Sequence, residues 1–366
     1  MRVLFVATPL IGHLFPMMPL ARHLHASGHT VLVATGGDAV TARDSGVAVE
    51  NVWPPFGLTR AVVRALALHP RAALNAASGM ADAAGAGRVF AATNKPMLEP
   101  LTRLADRFEP DIIVHEPFAA AAAVAGVRLG VPSVLHNVAF DNGEHITAEI
   151  LLRLGHPHAG PRGATISIAP PSIVSVPGWP MQYVPYAIGD TPPAWLRQTP
   201  ERPRILVTRS TMLGDGPDAM LSSTVAAARD IDAEFVIVRP NHRIQHSALP
   251  GNVRTVGWTA LDSVLPACAA MINHGGAGSV YAALRAGVPQ IATPAPGDRR
   301  WNAELVQRRG AGLSLRPRQI TARRITELLT TPRYRTAATQ VATEIADMPT
   351  LEQISAKITA LITRAS

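Results

Sequence analysis

Short apolar runs rich in β-branched residues alternate along this chain with longer stretches whose apolar positions recur at helical spacing, and the alternation happens twice. In the first half, Val3–Ala7, Val31–Thr35, Ile112–His115 and Ser133–Asn137 read as buried parallel strands, with helices such as Pro16–Ser27 and Met97–Phe108 between them. In the second half, Ile205–Thr208, Phe235–Arg239, Val253–Gly257, Ala270–Asn273 and Gln290–Thr293 repeat the pattern. The expected fold class is α/β, with two doubly wound, Rossmann-like sheets in tandem. A closed α/β barrel would need evenly spaced units, and residues 177–203 interrupt them with Pro177, Pro180, Pro185, Pro192, Pro193, Pro200 and Pro203. That stretch is expected to be an extended linker. At the end of the chain Leu351, Ile354, Ile358, Leu361 and Ile362 form a helical stripe that needs an apolar partner, either the first domain or a second copy in a homodimer.

A chain of 366 residues exceeds what one hydrophobic core usually supports, which agrees with two domains. With 47% hydrophobic and 16% charged residues it belongs among compact globular proteins. The net charge of +8 raises nucleic acid as a partner, but the cations are nearly all arginines, Lys95 and Lys357 being the only lysines, and they are scattered. A solvated basic surface is the better reading, with no nucleic-acid partner expected. Arg209, Arg299 and Arg300 near strand ends leave local attraction of an anionic substrate as a secondary one. Cys268 is the single cysteine, so the chain forms no internal disulfide and no cysteine-based metal cluster. Pro9, Gly12, His13 and Pro16 break the first apolar run too early for a signal segment, and no stretch is apolar enough to span a membrane. A cytoplasmic protein is expected.

Candidate chemistry concentrates at strand ends. Residues 269–279, AAMINHGGAGS, read as a strand, a glycine-rich turn and a helix start. Unpaired N–H groups and the helix dipole make such a turn suited to a phosphate, with His274 adding a donor or, when protonated, a positive charge, and Ser279 a hydroxyl. The same glycines also suit a plain tight turn. The loop Thr8–Phe15 after the first strand carries Gly12 and His13, His115 and Glu116 follow a later strand, and Arg209, Ser210 and Thr211 follow the first strand of the second half. Open parallel sheets bind ligands at these carboxyl ends, so the motifs are expected to meet in a cleft between the two halves.

These residues resemble a family. The run HGGAGS, followed by YAALRAGVPQIATPAPGDRRWNAELVQRRGAGL, is similar to the donor-binding signature of the family 1 nucleotide-sugar-dependent glycosyltransferases, which have the two-domain GT-B fold. PLIGHLFPMMPLARHLHASGH resembles that family's opening strand, loop and helix, and VGWTALDSVLP its nucleobase segment; the likeness is greatest to bacterial enzymes that decorate antibiotics and other natural products. The resemblance implies an acceptor-binding domain over 1–190, a nucleotide-sugar-binding domain over 203–350 and, over 351–366, a helix that crosses back to the first domain.

It also implies roles. Trp258 would face the nucleobase, while His274, Gly276, Ala277, Gly278 and Ser279 would hold the diphosphate, with Thr211 adding a hydroxyl. His13 matches the catalytic base and Glu116 its orienting carboxylate, where the family more often has Asp; outside the family a lone histidine there caps a loop. Asp298 and Arg299 match an Asp-Gln pair that hydrogen-bonds sugar hydroxyls, but a guanidinium accepts no hydrogen bond, which points to a deoxysugar. Asn302 matches as well, or simply starts a helix. For the acceptor, Phe118, Phe140 and Asp141 follow strands near the site, and residues 53–95, with Trp53, Phe56, Met80 and Phe90, either line an apolar pocket or pack helices. The implied function is inverting transfer of a sugar from a dTDP- or UDP-sugar to a hydroxyl of a small apolar natural product, with no metal or other cofactor. Carbon attachment with Asp141 as base, a nucleotide-sugar epimerase and a non-catalytic homologue that binds nucleotide-sugar are the alternatives.

Overall fold

The structure, a computed structural model, describes residues 1–53, 67, 70, 71, 74, 83–160, 163–186, 191–210, 216 and 218–365. The chain forms two compact units, one of Met1–Ala169, Ser175–Tyr186 and Met348–Ser366, the other of Pro170–Val174 and Ala187–Asp347.

The first unit is a parallel sheet of β1 (Arg2–Val6), β2 (Thr30–Thr35), β3 (Ala48–Asn51), β4 (Ile112–His115), β5 (Ser133–Asn137), β6 (Ala164–Ser167) and β7 (Trp179–Pro180), in the order β3-β2-β1-β4-β5-β6-β7. Its helices include α1 (Ile11–Leu14), α2 (Met18–Ala26), α3 (Ala83–Asn94), α4 (Leu98–Phe108), α5 (Ala121–Leu129) and α6 (Gly143–Leu154). Val3, Leu4, Phe5 and Val6 of the central strand are all fully buried. That is why it reads as a continuous apolar run, and each such large side chain gains about 2 kcal/mol from burial.

The second unit contains β8 (Arg204–Thr208), β9 (Glu234–Val238), β10 (Val253–Val256), β11 (Ala270–Asn273), β12 (Gln290–Ala292) and β13 (Gly312–Ser314), also parallel, in the order β10-β9-β8-β11-β12-β13. Its helices are α7 (Ala194–Arg197), α8 (Ala219–Ala228), α9 (His242–Gln245), α10 (Ala277–Arg285), α11 (Arg299–Arg309), α12 (Ala322–Thr330) and α13 (Pro332–Asp347). Asp218 starts α8 by accepting the N–H groups of Met220 and Leu221 at 3.0 and 3.1 Å.

One expectation is corrected. Residues 177–203 are not one extended linker: Trp179 and Pro180 pair with Ile166 and Ser167 as the outermost strand of the first sheet. Proline is tolerated there because an edge strand leaves one side unpaired. Further on, Trp195 of α7 packs against the guanidinium of Arg254, 3.5 Å from the ring centroid. Of the two partners open to the apolar stripe of the last helix, α14 (Leu351–Ala365), the first domain is the one observed: Ile354 and Ile358 are fully buried, Leu351, Leu361 and Ile362 are half-buried, and α14 packs against α2. Among the described residues no helix is long and apolar enough to cross a membrane.

Candidate active site

In each sheet the strand order reverses once, between β1 and β4 and between β8 and β11. Loops diverge at such a point and leave a crevice at the carboxyl ends of the strands. The candidate residues cluster at these two places.

In the first unit, β1 and β4 run side by side with Val6 opposite His115, so the residues that follow them are neighbours. The chain leaving β1 turns through Thr8 into α1, which carries His13; the chain leaving β4 begins with Glu116, which is fully buried. Glu116 Oε1 accepts the Thr8 N–H at 3.0 Å, and Oε2 accepts the Phe118 N–H at 2.8 Å and lies 3.2 Å from His13 Nδ1. The contact is made by the longer glutamate. Burial pushes the Glu116 pKa up, but the His13 charge and hydrogen bond with the two backbone N–H groups outweigh it and hold the carboxyl below its usual range. An ionised Glu116 keeps the imidazole proton on Nδ1, which leaves the lone pair on Nε2.

Phe118 meets the His13 ring edge-on with centroids 4.9 Å apart, and Phe90 packs on Phe118 at 4.3 Å. Of the two readings given for Phe90, pocket lining or helix packing, its place beside His13 and Phe118 favours the first. Asp141 follows β5, the next strand along, and is half-buried. Phe140 is 1% exposed. This corrects the expectation that its ring faces an acceptor: it serves the core. Trp53 is buried as well, with Nε1 3.4 Å from the Ala7 carbonyl oxygen. Phe56, Met80 and Thr211 lie outside the described residues.

In the second unit, β11 ends at Asn273, whose fully buried side chain organises the turn. Its Oδ1 accepts the Gly275 N–H at 2.8 Å, and its Nδ2 donates to Gln290 Oε1 at 2.7 Å. Gly275 has φ +78°, and a Cβ there would stand 2.8 Å from the Arg299 carbonyl oxygen. At Gly276 a Cβ would stand 2.2 Å from His274 Cε1, so the imidazole lies over that glycine. The Gly276 N–H donates to His274 Nδ1 at 3.0 Å, which makes Nδ1 the acceptor and puts the ring proton on Nε2. Burial first, and then the charge of Arg299, push the His274 pKa down to about 3. Of the two roles open to His274, donor or cation, the lowered pKa favours the neutral donor near neutrality. The N–H of Ser279 is committed to the Gly276 carbonyl at 3.1 Å, so the backbone donors at the head of α10 are those of Ala277 and Gly278.

Asn302, fully buried on α11, donates from Nδ2 to the Gly275 carbonyl at 2.9 Å and to Asp298 Oδ2 at 2.7 Å. One side chain thus ties the glycine turn to the loop bearing Asp298 and Arg299. Trp258, after β10, is half-buried, and the guanidinium of Arg239 lies 4.7 Å from its ring centroid. Arg239 follows β9 in the left-handed backbone region (φ +53°), a conformation that nothing in its sequence announces. Among the described residues no three His, Cys, Asp or Glu side chains converge as a metal site.

Comparison with known proteins follows the same division. Residues 22–210 and 222–361 match the N-terminal and C-terminal domains described as erythromycin biosynthesis protein CIII-like. The chain is 37% identical to the elloramycin glycosyltransferase ElmGT of Streptomyces olivaceus, over 98% of this chain and 97% of that protein. The glycosyltransferase SnogD from Streptomyces nogalater superimposes with a TM-score of 0.83 at 30% identity, covering 99% of each chain. The spinosyn rhamnosyltransferase SpnG in complex with thymidine diphosphate gives 0.81 at 26% identity, over 99% of this chain and 100% of that one.

Proposed function

This chain belongs to the erythromycin biosynthesis protein CIII-like glycosyltransferases, with the GT-B fold, and on that premise we propose that it inverts the anomeric centre while moving a deoxysugar from a nucleoside diphosphate to a hydroxyl of an apolar natural-product aglycone. The observation that carries the reading is the contact of His13 Nδ1 with the buried Glu116 carboxylate at 3.2 Å. With Nδ1–H held by Glu116, Nε2 takes the proton of the acceptor hydroxyl as its oxygen bonds to the anomeric carbon. The bond from that carbon to the diphosphate breaks, and its electron pair leaves on the diphosphate. One displacement from the opposite face inverts the centre. His274 Nε2–H, the N–H groups of Ala277 and Gly278 and the Ser279 hydroxyl hold the diphosphate, and donors fixed where charge develops favour the transition state over the ground state. Trp258 offers an indole face to the nucleobase, Asp298 receives the sugar, and Phe118 with Phe90 walls the acceptor side. The SpnG complex with thymidine diphosphate supports a dTDP-sugar as donor.

The test is turnover of dTDP-deoxysugars with hydroxylated polyketide aglycones and NMR of the product anomer. Inversion is expected, and His13→Ala should lower turnover roughly 10²- to 10⁴-fold while donor affinity stays near that of the parent. Retention of configuration, or wild-type turnover by His13→Ala, would refute the mechanism and make Asp141 the base to examine.

A further inference from the structure

We propose that Arg299 binds the donor diphosphate and supplies the full positive charge that the glycine-rich turn lacks. The proposal rests on the reading that the diphosphate sits at His274–Ser279.

The turn presents neutral groups. His274 offers an N–H, Ala277 and Gly278 offer backbone N–H groups, and a helix N-terminus carries only about half an elementary charge. A sugar-linked diphosphate brings two negative charges, and the leaving group gains a third as the glycosidic bond breaks.

Arg299 is built into the wall of this turn. From β12, the strand beside β11, the chain returns over the turn: the Thr293 N–H donates to the Asn273 carbonyl at 2.9 Å, and Asn302 holds the Gly275 carbonyl. A Cβ placed on Gly275 would lie 3.3 Å from Arg299 Cβ, so the arginine side chain leaves the backbone in contact with the turn. Arg299 Nε donates to the Pro296 carbonyl at 3.0 Å, a bond that anchors the guanidinium while using neither of its two terminal nitrogens. Among the described residues no carboxylate pairs with it. The adjacent Asp298 is engaged by Asn302, and the next arginine, Arg300, has its own partner in Glu304 at 2.9 Å. The lowered His274 pKa, to which the Arg299 charge contributes, agrees with a cation beside the imidazole. A guanidinium matches phosphate oxygens in a fork and accepts nothing from a sugar hydroxyl. The residue at this position therefore serves the leaving group.

The test is calorimetric binding of thymidine diphosphate and of thymidine to the full chain and to Arg299→Gln, Arg299→Lys and His274→Ala, at low and high salt. Arg299→Gln should bind thymidine diphosphate about 10- to 100-fold more weakly, the scale of a charge-assisted phosphate contact. Its salt dependence should be shallower, because the variant has one charge fewer at the diphosphate for salt to screen. Arg299→Lys should keep most of the affinity, and thymidine should bind all the Arg299 variants alike. If Arg299→Gln binds thymidine diphosphate as the parent does while His274→Ala is weakened, the role of Arg299 is overturned and the donor site stands. If neither substitution changes thymidine diphosphate binding, the donor site itself is overturned with it.

Discussion

At the scale of single residues, the proposed mechanism depends on which ring nitrogen carries the proton, and the two histidines are set in opposite senses. Glu116 binds the Nδ1–H of His13 and leaves the lone pair on Nε2, the nitrogen proposed as base, whereas the Gly276 N–H occupies Nδ1 of His274 and turns its Nε2 into a donor. Gly276 is the residue on which the second arrangement rests. Its backbone (φ −67°, ψ 142°) is open to any residue, yet a methyl there would collide with the imidazole, 2.2 Å from Cε1. Gly276→Ala should fold normally and melt close to the parent, but bind thymidine diphosphate about tenfold or more weakly as the ring swings out. Calorimetry paired with a melting curve checks this; undiminished binding would mean that the imidazole takes no part in holding the diphosphate.

At the scale of elements, each site is made by neighbouring strands that deliver loops to one edge, and buried side chains hold those loops together. Asn302 does this for the second unit, since its Nδ2 spans the turn after β11 and the loop before α11. Replacing it with alanine leaves the Gly275 carbonyl and the Asp298 carboxylate without that donor. Asn302→Ala should cost roughly 1 to 3 kcal/mol of stability and raise the KM for the nucleotide-sugar more than it lowers kcat, because the loops are misplaced while His13 is untouched. Denaturant melts with steady-state kinetics provide the measurement. A kcat effect alone would contradict this positioning role.

At the scale of the whole molecule, the central strands carry polar residues in a dry interior. His115 and His136, on β4 and β5, are fully buried, and burial drives both pKa values down, that of His136 to about 4. The sign follows from linkage. Unfolded histidine binds a proton below its reference value near 6.5, the folded His136 only near 4, so stability is lost as pH falls through that window. His136 alone would account for about 3 kcal/mol across it. Glu116, with its lowered pKa, adds a loss in the same direction at lower pH still. Melting temperature should decline from pH 6.5 toward pH 4, and His136→Gln should flatten the decline. A parent curve level over that range would show that His136 is protonated at no cost in the folded chain.

The alternation of apolar runs with helical patterns was enough to identify the central strands, because a strand covered on both faces must be continuously apolar. Ile112–His115, Ser133–Asn137 and Ala270–Asn273 lie where that pattern puts them. Ala48–Asn51, Ala164–Ser167, Trp179–Pro180 and Gly312–Ser314, at or next to a sheet edge, escape it, since these short strands carry no long apolar run and depend on a neighbour distant in sequence, while the edge strand Val253–Val256 was legible. The glycine turn, His13 and Glu116 were legible as chemistry at strand ends. That His13 and Glu116 touch, that Gly276 fixes the His274 tautomer, that Phe90 packs beside His13 and Phe118 and that Phe140 retires into the core were decided by the fold. Proton position, burial and contact belong to pairs of groups, and the chain brings those pairs together only when strands far apart in sequence become neighbours in one sheet.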